Sequence, residues 1–420
     1  MKTLNIFYEG DLVGKFSQNE KMIHSFQYNQ KWILNEHAFP ISISMPLGEN
    51  QFDNKTTLAF FENLLPEGNV RALLARWHHS DGVFSTLAKY GEDCAGALVV
   101  TSRSAPPKAK GRSSRVELKI SEIDLAIDER EGVVDLIADK QPGYLSIAGA
   151  QDKFPCIFSD GKIYLPKGGA PTTHIVKTPI RVKGIKESVF NEYFCMKLAA
   201  SIGFDVPEVQ ILEGKHPLLV VQRYDRQLDG NVIKRIHQQD FCQALGILSS
   251  EKYEIDGGPS FAQIFQLMNE HISGNKKIEN SFRMLDWICF NLLIGNNDSH
   301  AKNISLLLNN RKYSLAPFYD LISTAIYPNL DTRFSFKIGG ENAFSNIGRK
   351  EFRKEEKKIG IKEGTFDERM LLVFKKIVNE QDAVLRVISK EFPKAKIHDR
   401  IHELIIKRAK HFKKQGIPLE

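Results

Sequence analysis

Cysteine is scarce in this sequence, and the cysteines that occur are not spaced for chemistry. The 420 residues include five widely separated cysteines, and none belongs to a Cys-x-x-Cys pair of the kind that binds zinc or cycles to a disulfide. An odd number of isolated cysteines also argues against a disulfide framework. We therefore expect buried, reduced thiols.

Long apolar runs are also missing. The longest useful one, residues 287–295, is far shorter than the roughly 20 residues that cross a bilayer. The N-terminus goes directly into an alternating strand pattern and lacks the apolar core of a signal peptide. The sequence therefore predicts a cytoplasmic protein with no membrane partner.

The common glycine signatures for phosphate binding are absent as well. The chain contains neither the P-loop pattern G-x-x-x-x-G-K-[ST] nor a G-x-G, which excludes an ordinary P-loop and an ordinary kinase glycine loop. It also has no internal repeat of fixed period and no long low-complexity segment, so a solenoid is not expected.

What is present is the composition of a globular protein. Hydrophobic residues make up 42% and charged residues 26% of the chain, close to globular averages. A length of 420 residues is more than one core usually fills, so we expect at least two packed units. The formal charge of +7 could favour an acidic partner or nucleic acid but identifies neither.

Strand and helix patterns predict an α+β protein in several parts. Residues 1–104 form a small α+β domain, and residues 105–115, rich in proline, small and basic residues, form a linker or mobile loop. An upper lobe of strands around one helix follows at 116–225, and a mainly helical lower lobe at 226–420. The predicted strands include 4–8, 41–45, 97–101, 154–158, 174–177, 209–212, 218–223 and 313–316, and the predicted helices include 58–77, 188–202, 282–293 and 366–387.

The strongest motif is the polar stretch 295–303, which follows an apolar helix pattern. Phosphoryl transfer needs a carboxylate that orients or deprotonates the attacking hydroxyl, and oxygen ligands that hold magnesium against the phosphates. Protein kinases place an Asp and an Asn five positions apart on one catalytic loop. Asp298 and Asn303 have that spacing, so we predict a catalytic Asp298 and a magnesium ligand at Asn303.

A second acidic magnesium ligand is expected a short distance further on. Asp320 follows the strand pattern at 313–316 and fits this role. His300 and Lys302, within the loop, are predicted nucleotide contacts. The alternative is that Asp298 caps a helix and Asp320 opens a turn, in which case both match the kinase spacing by accident.

A cation should also neutralise the nucleotide phosphates. Lys177 ends an apolar strand pattern and fits this role, and Glu192, inside the helix at 188–202, is the predicted partner of the lysine. Glu187, at the start of that helix, is the less favoured choice. A solvated lysine at a strand end is the alternative.

Small residues before the strand at 154–158 could cradle phosphate. Small side chains let backbone amides approach a phosphate closely. Such turns also join strands where no ligand binds. The predicted contacts in this loop are Ala148, Gly149, Ala150, Gln151 and Lys153.

The strand at 218–223 runs into polar residues, as a segment joining two lobes would. Backbone groups of Gln222 and Tyr224 are predicted to bind adenine, and Asp225 is predicted to lie near the ribose. A plain strand followed by a turn is the alternative.

These segments resemble the HipA family of bacterial toxin kinases. The resemblance rests on five motifs in the family's order: Ser-Ile-Ala-Gly-Ala-Gln, His-Ile-Val-Lys, Gln-Arg-Tyr-Asp, Gly-Asn-Asn-Asp-Ser-His-Ala-Lys-Asn and Pro-Phe-Tyr-Asp. It extends to the N-terminal part through Ser-Met-Pro-Leu and Phe-Glu-Asn-Leu-Leu-Pro-Glu-Gly. It implies a two-lobed protein-kinase-like fold with an extra N-terminal α+β domain, and an ATP- and Mg²⁺-dependent serine/threonine kinase.

The resemblance further implies regulation and partners. Ser146 would be an autophosphorylation site that silences the enzyme, because a phosphoserine adds roughly −1.5 to −2 charge where the ATP phosphates bind. The implied partners are a small helix-turn-helix antitoxin of the HipB type, operator DNA mainly through the antitoxin complex, and a translation protein as substrate, such as glutamyl-tRNA synthetase. The basic segment 394–414 could contact DNA in such a complex, or could be an ordinary amphipathic helix.

Two other functions stay open from the residues themselves. A small-molecule phosphotransferase of the aminoglycoside or choline kinase sort also uses an Asp, a following Asn and a later Asp. A non-catalytic, DNA-associated corepressor is the other alternative, and the intact set Lys177, Asp298, Asn303 and Asp320 argues against it.

Overall fold

The structure is a computed structural model that describes residues 1–49, 51–67, 71–72, 82–106, 115–129, 132–140, 151–167, 169–230 and 232–419. The chain divides into two compact units. The first comprises residues 1–178, 210–250 and 305–311, and the second comprises 179–209, 251–304 and 312–420. Both units contain helices and strands, so the predicted α+β class is confirmed.

The division differs from the predicted boundary between upper and lower lobes. Residues 226–250 belong to the first unit, whereas the helix Ser188–Ser201 belongs to the second. The strand His237–Asp240 pairs antiparallel with Ser305–Asn309. This pairing explains why a short segment from the second half of the chain belongs to the first unit.

A five-stranded sheet begins the first unit. Alternating apolar residues of the strand Lys2–Tyr8, among them Leu4 and Ile6, lie in its core. Gly14 stands opposite Ile6, and a Cβ there would lie 2.6 Å from the ring of Phe26, so the close approach requires glycine. The strand order is Gln51–Phe52, His24–Tyr28, Asp11–Gln18, Lys2–Tyr8 and Val99–Thr101.

A six-stranded sheet is the second sheet of the first unit. The strands His174–Lys177 and Val209–Leu212 have the predicted bounds. One face of the sheet packs on the helices Ile120–Glu129 and Val133–Lys140 through a shared apolar core. The strand order is Val209–Leu212, Leu218–Gln222, His174–Lys177, Lys153–Ser159, Lys162–Pro166 and Arg115–Leu118.

The other elements of the first unit are short. A hairpin joins Arg226–Asp229 to Val232–Arg235. The remaining α-helices in the described part of this unit are Gln30–Ile33, Asn54–Phe61, Val83–Tyr90 and Phe241–Leu245.

Two predictions for the N-terminal part are wrong. Residues 41–45 form turns closed by a single bridge between Ser42 and Met45. The Ser42 hydroxyl donates to Oε1 of Gln239 at 2.9 Å, a contact that competes with a strand ladder. The helix predicted at 58–77 starts earlier, at Asn54, and Leu65 is already extended. Residues 68–70 and 73–81 lie outside the described residues.

Helices dominate the second unit. Asn275–Ile294 buries every side chain from Trp287 to Ile294, as its apolar pattern predicts. Around it lie a hairpin of Arg333–Ile338 with Glu341–Ala343 and the strand Lys312–Leu315. The other helices are Ser188–Ser201, Phe261–His271, Arg349–Ile359, Thr365–Glu391 and Ile397–Lys414.

All five cysteines are buried and none forms a disulfide, as predicted. Within the described part of the chain, no helix combines the length and the apolarity that a bilayer crossing requires.

Candidate functional site

Gly295 ends the central helix of the second unit and starts the polar loop. Its φ of 73° is left-handed, and its N–H donates to the carbonyl of Asn291 at 3.0 Å. A Cβ at this position would lie 2.8 Å from Cβ of Ala325 and 3.0 Å from Leu404. Both the backbone angle and the lack of space require glycine where the chain turns out of the helix.

The loop that follows is held by buried amides and hydroxyls. The Asn296 amide donates to Oδ1 of Asn291 at 2.8 Å, and the backbone N–H of Asn297 donates to Oγ1 of Thr324 at 2.8 Å. The Ser299 hydroxyl closes a local turn by donating to the carbonyl of Asn296 at 2.9 Å. These bonds fix the backbone on both sides of Asp298, so its carboxylate projects from a rigid frame.

Asp298 presents a half-exposed carboxylate, since 54% of its side chain is accessible. The phenol of Tyr253 donates to Oδ1 of Asp298 at 2.6 Å. Nε2 of His300 lies 4.0 Å from the same oxygen, and the Tyr253 ring packs edge-on against the His300 ring at 5.2 Å. Tyr253 was not predicted from the sequence, because it lies 45 residues before Asp298 and outside any motif.

Asn303 lies in the turn Ala301–Asn303 and is buried. Its Nδ2 donates to the backbone carbonyl of Asp298 at 3.0 Å. The bond uses the amide nitrogen, so the amide oxygen, which magnesium prefers, is the end left for a ligand. The spacing of five residues between Asp298 and Asn303 therefore has a structural reason. It lets the Asn303 side chain close the loop through its nitrogen while its oxygen can bind a metal.

Asp320 has a left-handed backbone, with φ of 59°. Asp tolerates this conformation better than most residues, but it still costs about 1 kcal/mol or more. Its carbonyl accepts a bond of 3.4 Å from the Asn296 amide, and the neighbouring Tyr319 hydroxyl donates to the carbonyl of Lys302 at 2.7 Å. The structure thus brings Asp320 to the loop that carries Asp298 and Asn303.

These residues fit a magnesium ion bound together with a nucleotide. Magnesium is usually held by one or two protein oxygen ligands plus phosphates and water. Asn303 and Asp320 supply such a pair. No cluster of three His, Cys, Asp or Glu side chains suited to a metal occurs among the described residues, and a nucleotide-bound magnesium does not need one.

Two hydrogen bonds join the helix Ser188–Ser201 to the segment after Asp320. They were not predicted from the sequence. The Asn191 amide donates to the carbonyl of Ser323 at 2.9 Å and accepts from the N–H of Ser323 at 2.8 Å. Glu192 follows on the same helix and is buried, with 2% of its surface exposed. Lys177 belongs to the other unit, so the pairing of these two residues stays a prediction.

In the first unit, two lysines occupy paired positions at one end of the six-stranded sheet. Lys153 and Lys177 are register partners on adjacent strands, and Lys177 is buried. The Gln151 amide donates to the carbonyl of Thr178 at 2.8 Å, which places Gln151 beside the same strand end. The rest of the predicted phosphate loop, with Ser146, Ala148, Gly149 and Ala150, lies outside the described residues.

The predicted adenine segment leads into a buried ionic cluster. Gln222 is exposed, and the Tyr224 hydroxyl donates to Oε1 of Gln238. The Asp225 carboxylate accepts from Arg223 at 2.8 and 2.9 Å and from the N–H of Gly96 at 2.7 Å. Its contact with ribose stays a prediction, which this burial and these partners disfavour.

Asp93 is the other acidic member of this cluster. Its carboxylate contacts the guanidinium groups of Arg223, Arg226 and Arg235 at 3.0 to 3.2 Å. Burial by itself raises the pKa of Asp93, but the three guanidinium groups outweigh burial and hold it below its usual value. The cluster joins the N-terminal sheet domain to the end of the strand Leu218–Gln222 within one unit.

Comparisons with known proteins identify the family of this chain. The family model described as HipA N-terminal domain matches residues 4–101, and the one described as HipA-like C-terminal domain matches residues 145–383. The protein Y4mE of Sinorhizobium fredii, whose name places it among kinases, is 35% identical over 404 residues, covering 93% of this chain and 92% of that protein. The serine/threonine-protein kinase toxin HipA of Shewanella oneidensis is 30% identical over 361 residues, 81% of this chain and 80% of that protein.

A solved structure shares the fold. It is HipA of Shewanella oneidensis, in a complex with HipB and its operator DNA, with a TM-score of 0.83, 24% identity and coverage of 98% of both chains. The fold is therefore the two-lobed, kinase-like α+β fold that the sequence predicts. The two relatives named above, both called kinases, show that the protein is a kinase. The chain belongs to the HipA family of serine/threonine-protein kinase toxins.

Proposed function

We propose that this chain uses ATP and Mg²⁺ to phosphorylate serine or threonine in a protein, with Asp298 as the catalytic residue and Asn303 and Asp320 as the magnesium ligands. The observation that carries the proposal is the bond of 3.0 Å from the Asn303 amide to the carbonyl of Asp298. It fixes a carboxylate and an amide oxygen on one turn, which is the arrangement that phosphoryl transfer requires.

In the proposed reaction, the acceptor hydroxyl gives its proton to Asp298 while its oxygen bonds to the γ-phosphorus of ATP. The bond from the γ-phosphorus to the oxygen bridging to the β-phosphate breaks, and ADP leaves. Magnesium, when bound, supplies positive charge to the phosphates. Lys177 and Lys153 would add two further positive charges on the phosphate side, with Gln151 beside them.

We further propose that the enzyme is the toxin of a toxin–antitoxin pair. This proposal is supported by similarity over 92% and 80% of the length of two relatives, the second of which is named a toxin. The proposed partners are a small helix-turn-helix antitoxin of the HipB type and operator DNA, the latter mainly through the antitoxin complex. The proposed substrate is a translation protein such as glutamyl-tRNA synthetase.

The proposed regulation is autophosphorylation at Ser146. The test is intact-mass analysis of the wild type, Asp298→Ala and Ser146→Ala after incubation with Mg-ATP, followed by peptide mapping. We expect one phosphate on Ser146 in the wild type and none there in either variant. An unmodified wild type that binds ATP but gains no phosphate would overturn the autophosphorylation claim.

A matched variant separates loss of catalysis from loss of folding. Asp382 is an exposed carboxylate on the helix Thr365–Glu391, so Asp382→Ala removes the same chemical group outside the loop. It should autophosphorylate like the wild type.

A further inference from the structure

A cavity of about 410 Å³ opens beside the catalytic carboxylate, within the second unit. Asp298 and Tyr253 line it, whereas neither Asn303 nor Asp320 does. The cavity therefore reaches the residue that takes the proton without reaching the residues proposed to hold magnesium. An acceptor, and not the nucleotide, would bind in such a position.

The Tyr253 phenol shows how an acceptor would bind there. A hydroxyl that is to be deprotonated must donate a hydrogen bond to Asp298, with the donor and acceptor oxygens about 2.5–3.0 Å apart. The Tyr253 hydroxyl makes this bond at 2.6 Å from inside the cavity. An acceptor hydroxyl would take the same place when it displaces the phenol.

The loop that carries Tyr253 is rigid enough to define a pocket. The Tyr253 carbonyl accepts from the N–H groups of Asp256 and Gly258 at 3.0 and 2.9 Å. Oε2 of Glu254 accepts from the N–H of Lys337 at 2.6 Å, which ties the loop to the hairpin strand. A Cβ on Gly258 would lie 2.0 Å from the carbonyl of Glu251, so the turn requires glycine.

The charges in the cavity are mainly negative. Three carboxylates, those of Asp256, Asp298 and Asp331, face one guanidinium, that of Arg333. Nε and Nη2 of Arg333 contact Asp331 at 3.1 and 2.7 Å, so this pair is neutral. Asp256 is exposed to solvent and also interacts electrostatically with Arg333, so the three carboxylates together outnumber the single positive charge.

The cavity also offers apolar contacts and more space than one serine or threonine side chain fills. Ile255 is a large apolar side chain with 51% of its surface exposed, and Leu330 and Phe334 extend the apolar lining. A polypeptide segment, with residues on either side of the acceptor, would use this space.

We propose that this cavity is the acceptor pocket, and that Asp256 selects polypeptide segments with a Lys or Arg next to the phosphorylated serine or threonine. The proposal rests on the proposed function, since it assumes that Asp298 acts on a protein hydroxyl. It adds the chemical class of the preferred acceptor, which the kinase fold by itself does not determine.

The test uses three serine peptides that differ only at one position next to the serine, which carries Lys, Gln or Glu. Phosphorylation is measured by mass spectrometry as kcat/KM ratios within each enzyme variant, so the absolute activity of a variant does not matter. The wild type should prefer Lys over Glu by about fivefold, the upper end of the effect of one exposed charge pair. Asp256→Asn should abolish the preference and Asp256→Lys should reverse it.

Asp382→Lys is the matched control, because it makes the same charge change on an exposed helix position that does not line the cavity. It should retain the wild-type preference. A wild type that phosphorylates all three peptides equally, or a preference unchanged by Asp256→Lys, would overturn the pocket assignment and leave the kinase proposal intact. If no peptide is phosphorylated and Ser146 is also unmodified, both proposals fall.

Discussion

The phenol of Tyr253 donates a hydrogen bond of 2.6 Å to Oδ1 of Asp298, the oxygen that an acceptor hydroxyl would have to reach. We expect Tyr253→Phe to lower the acceptor KM by roughly threefold to tenfold with little change in kcat, because a competing bond to a charged group is removed. Steady-state kinetics with a serine peptide measure both constants.

A matched control is Tyr193→Phe. It removes a phenol hydroxyl that bonds to Glu391 at 3.4 Å on another helix of the same unit. Its KM and kcat should match those of the wild type. A large fall in kcat for Tyr253→Phe, at unchanged KM, would show that the phenol positions Asp298 and does not compete with the acceptor.

Asn303 has two separable roles, because its amide nitrogen holds the loop and its amide oxygen is left for magnesium. Asn303→Asp retains an oxygen ligand and loses the donor, whereas Asn303→Ala loses both. We expect the alanine variant to lose activity by at least about 100-fold and the aspartate variant to regain part of it at high Mg²⁺. Magnesium titrations of phosphate transfer test this. Equal Mg²⁺ dependence in all three proteins would rule out Asn303 as a ligand.

Asp93 is buried among three arginines, so its removal leaves positive charges without compensation. We expect Asp93→Ala to lower the free energy of unfolding of the first unit by about 3–5 kcal/mol. Asp229→Ala is the control, since Asp229 pairs with Lys234 at the surface and its loss should change the free energy of unfolding far less. Urea unfolding of both variants gives the comparison, and similar values for the two would contradict the assigned role of the cluster.

Local patterns predicted the elements whose partners are close in sequence. The strand Val209–Leu212 has the predicted bounds, and its neighbour in the sheet, Leu218–Gln222, follows after a short connection. The loop at 295–303 was recognisable because phosphoryl transfer fixes its residue types and spacing. The strand prediction for residues 41–45 is wrong because Ser42 donates a hydrogen bond to Gln239, about two hundred positions away. No local sequence pattern indicates that contact.

The same limit explains which site residues were missed. Tyr253 and Asn191 form hydrogen bonds with residues that lie 45 and 132 positions further along the chain, respectively. Asp225 was predicted as a ribose contact from its place after a strand, and the bond from Gly96 to its carboxylate could not be foreseen. Long-range polar contacts of this kind are visible only once the chain is folded.

His237 gives the first unit a predicted dependence on pH. Burial lowers its pKa to about 4, and Nε2 lies 2.9 Å from the carbonyl of Ile41. The unfolded value is about 6.5, so the unfolded chain binds more protons between about pH 4 and 6.5 and stability falls as pH drops through that range. His237→Gln keeps a donor for Ile41 and should make this fall shallower, by up to about 1.4 kcal/mol per pH unit. Urea unfolding at pH 7, 6 and 5 measures the free energy of unfolding of both proteins. If it falls equally with pH in the wild type and in His237→Gln, the prediction is contradicted.

The central claim is that Asp298 drives transfer of the ATP γ-phosphate to a protein hydroxyl. The most direct measurement is incubation of γ-labelled ATP with a bacterial lysate and either wild-type protein or Asp298→Asn, which keeps the side-chain shape but not the charge. The account predicts label on serine or threonine of a protein with the wild type and a loss of at least about 1000-fold in the variant. Equal labelling by Asp298→Asn, or transfer only to a small molecule, would contradict it.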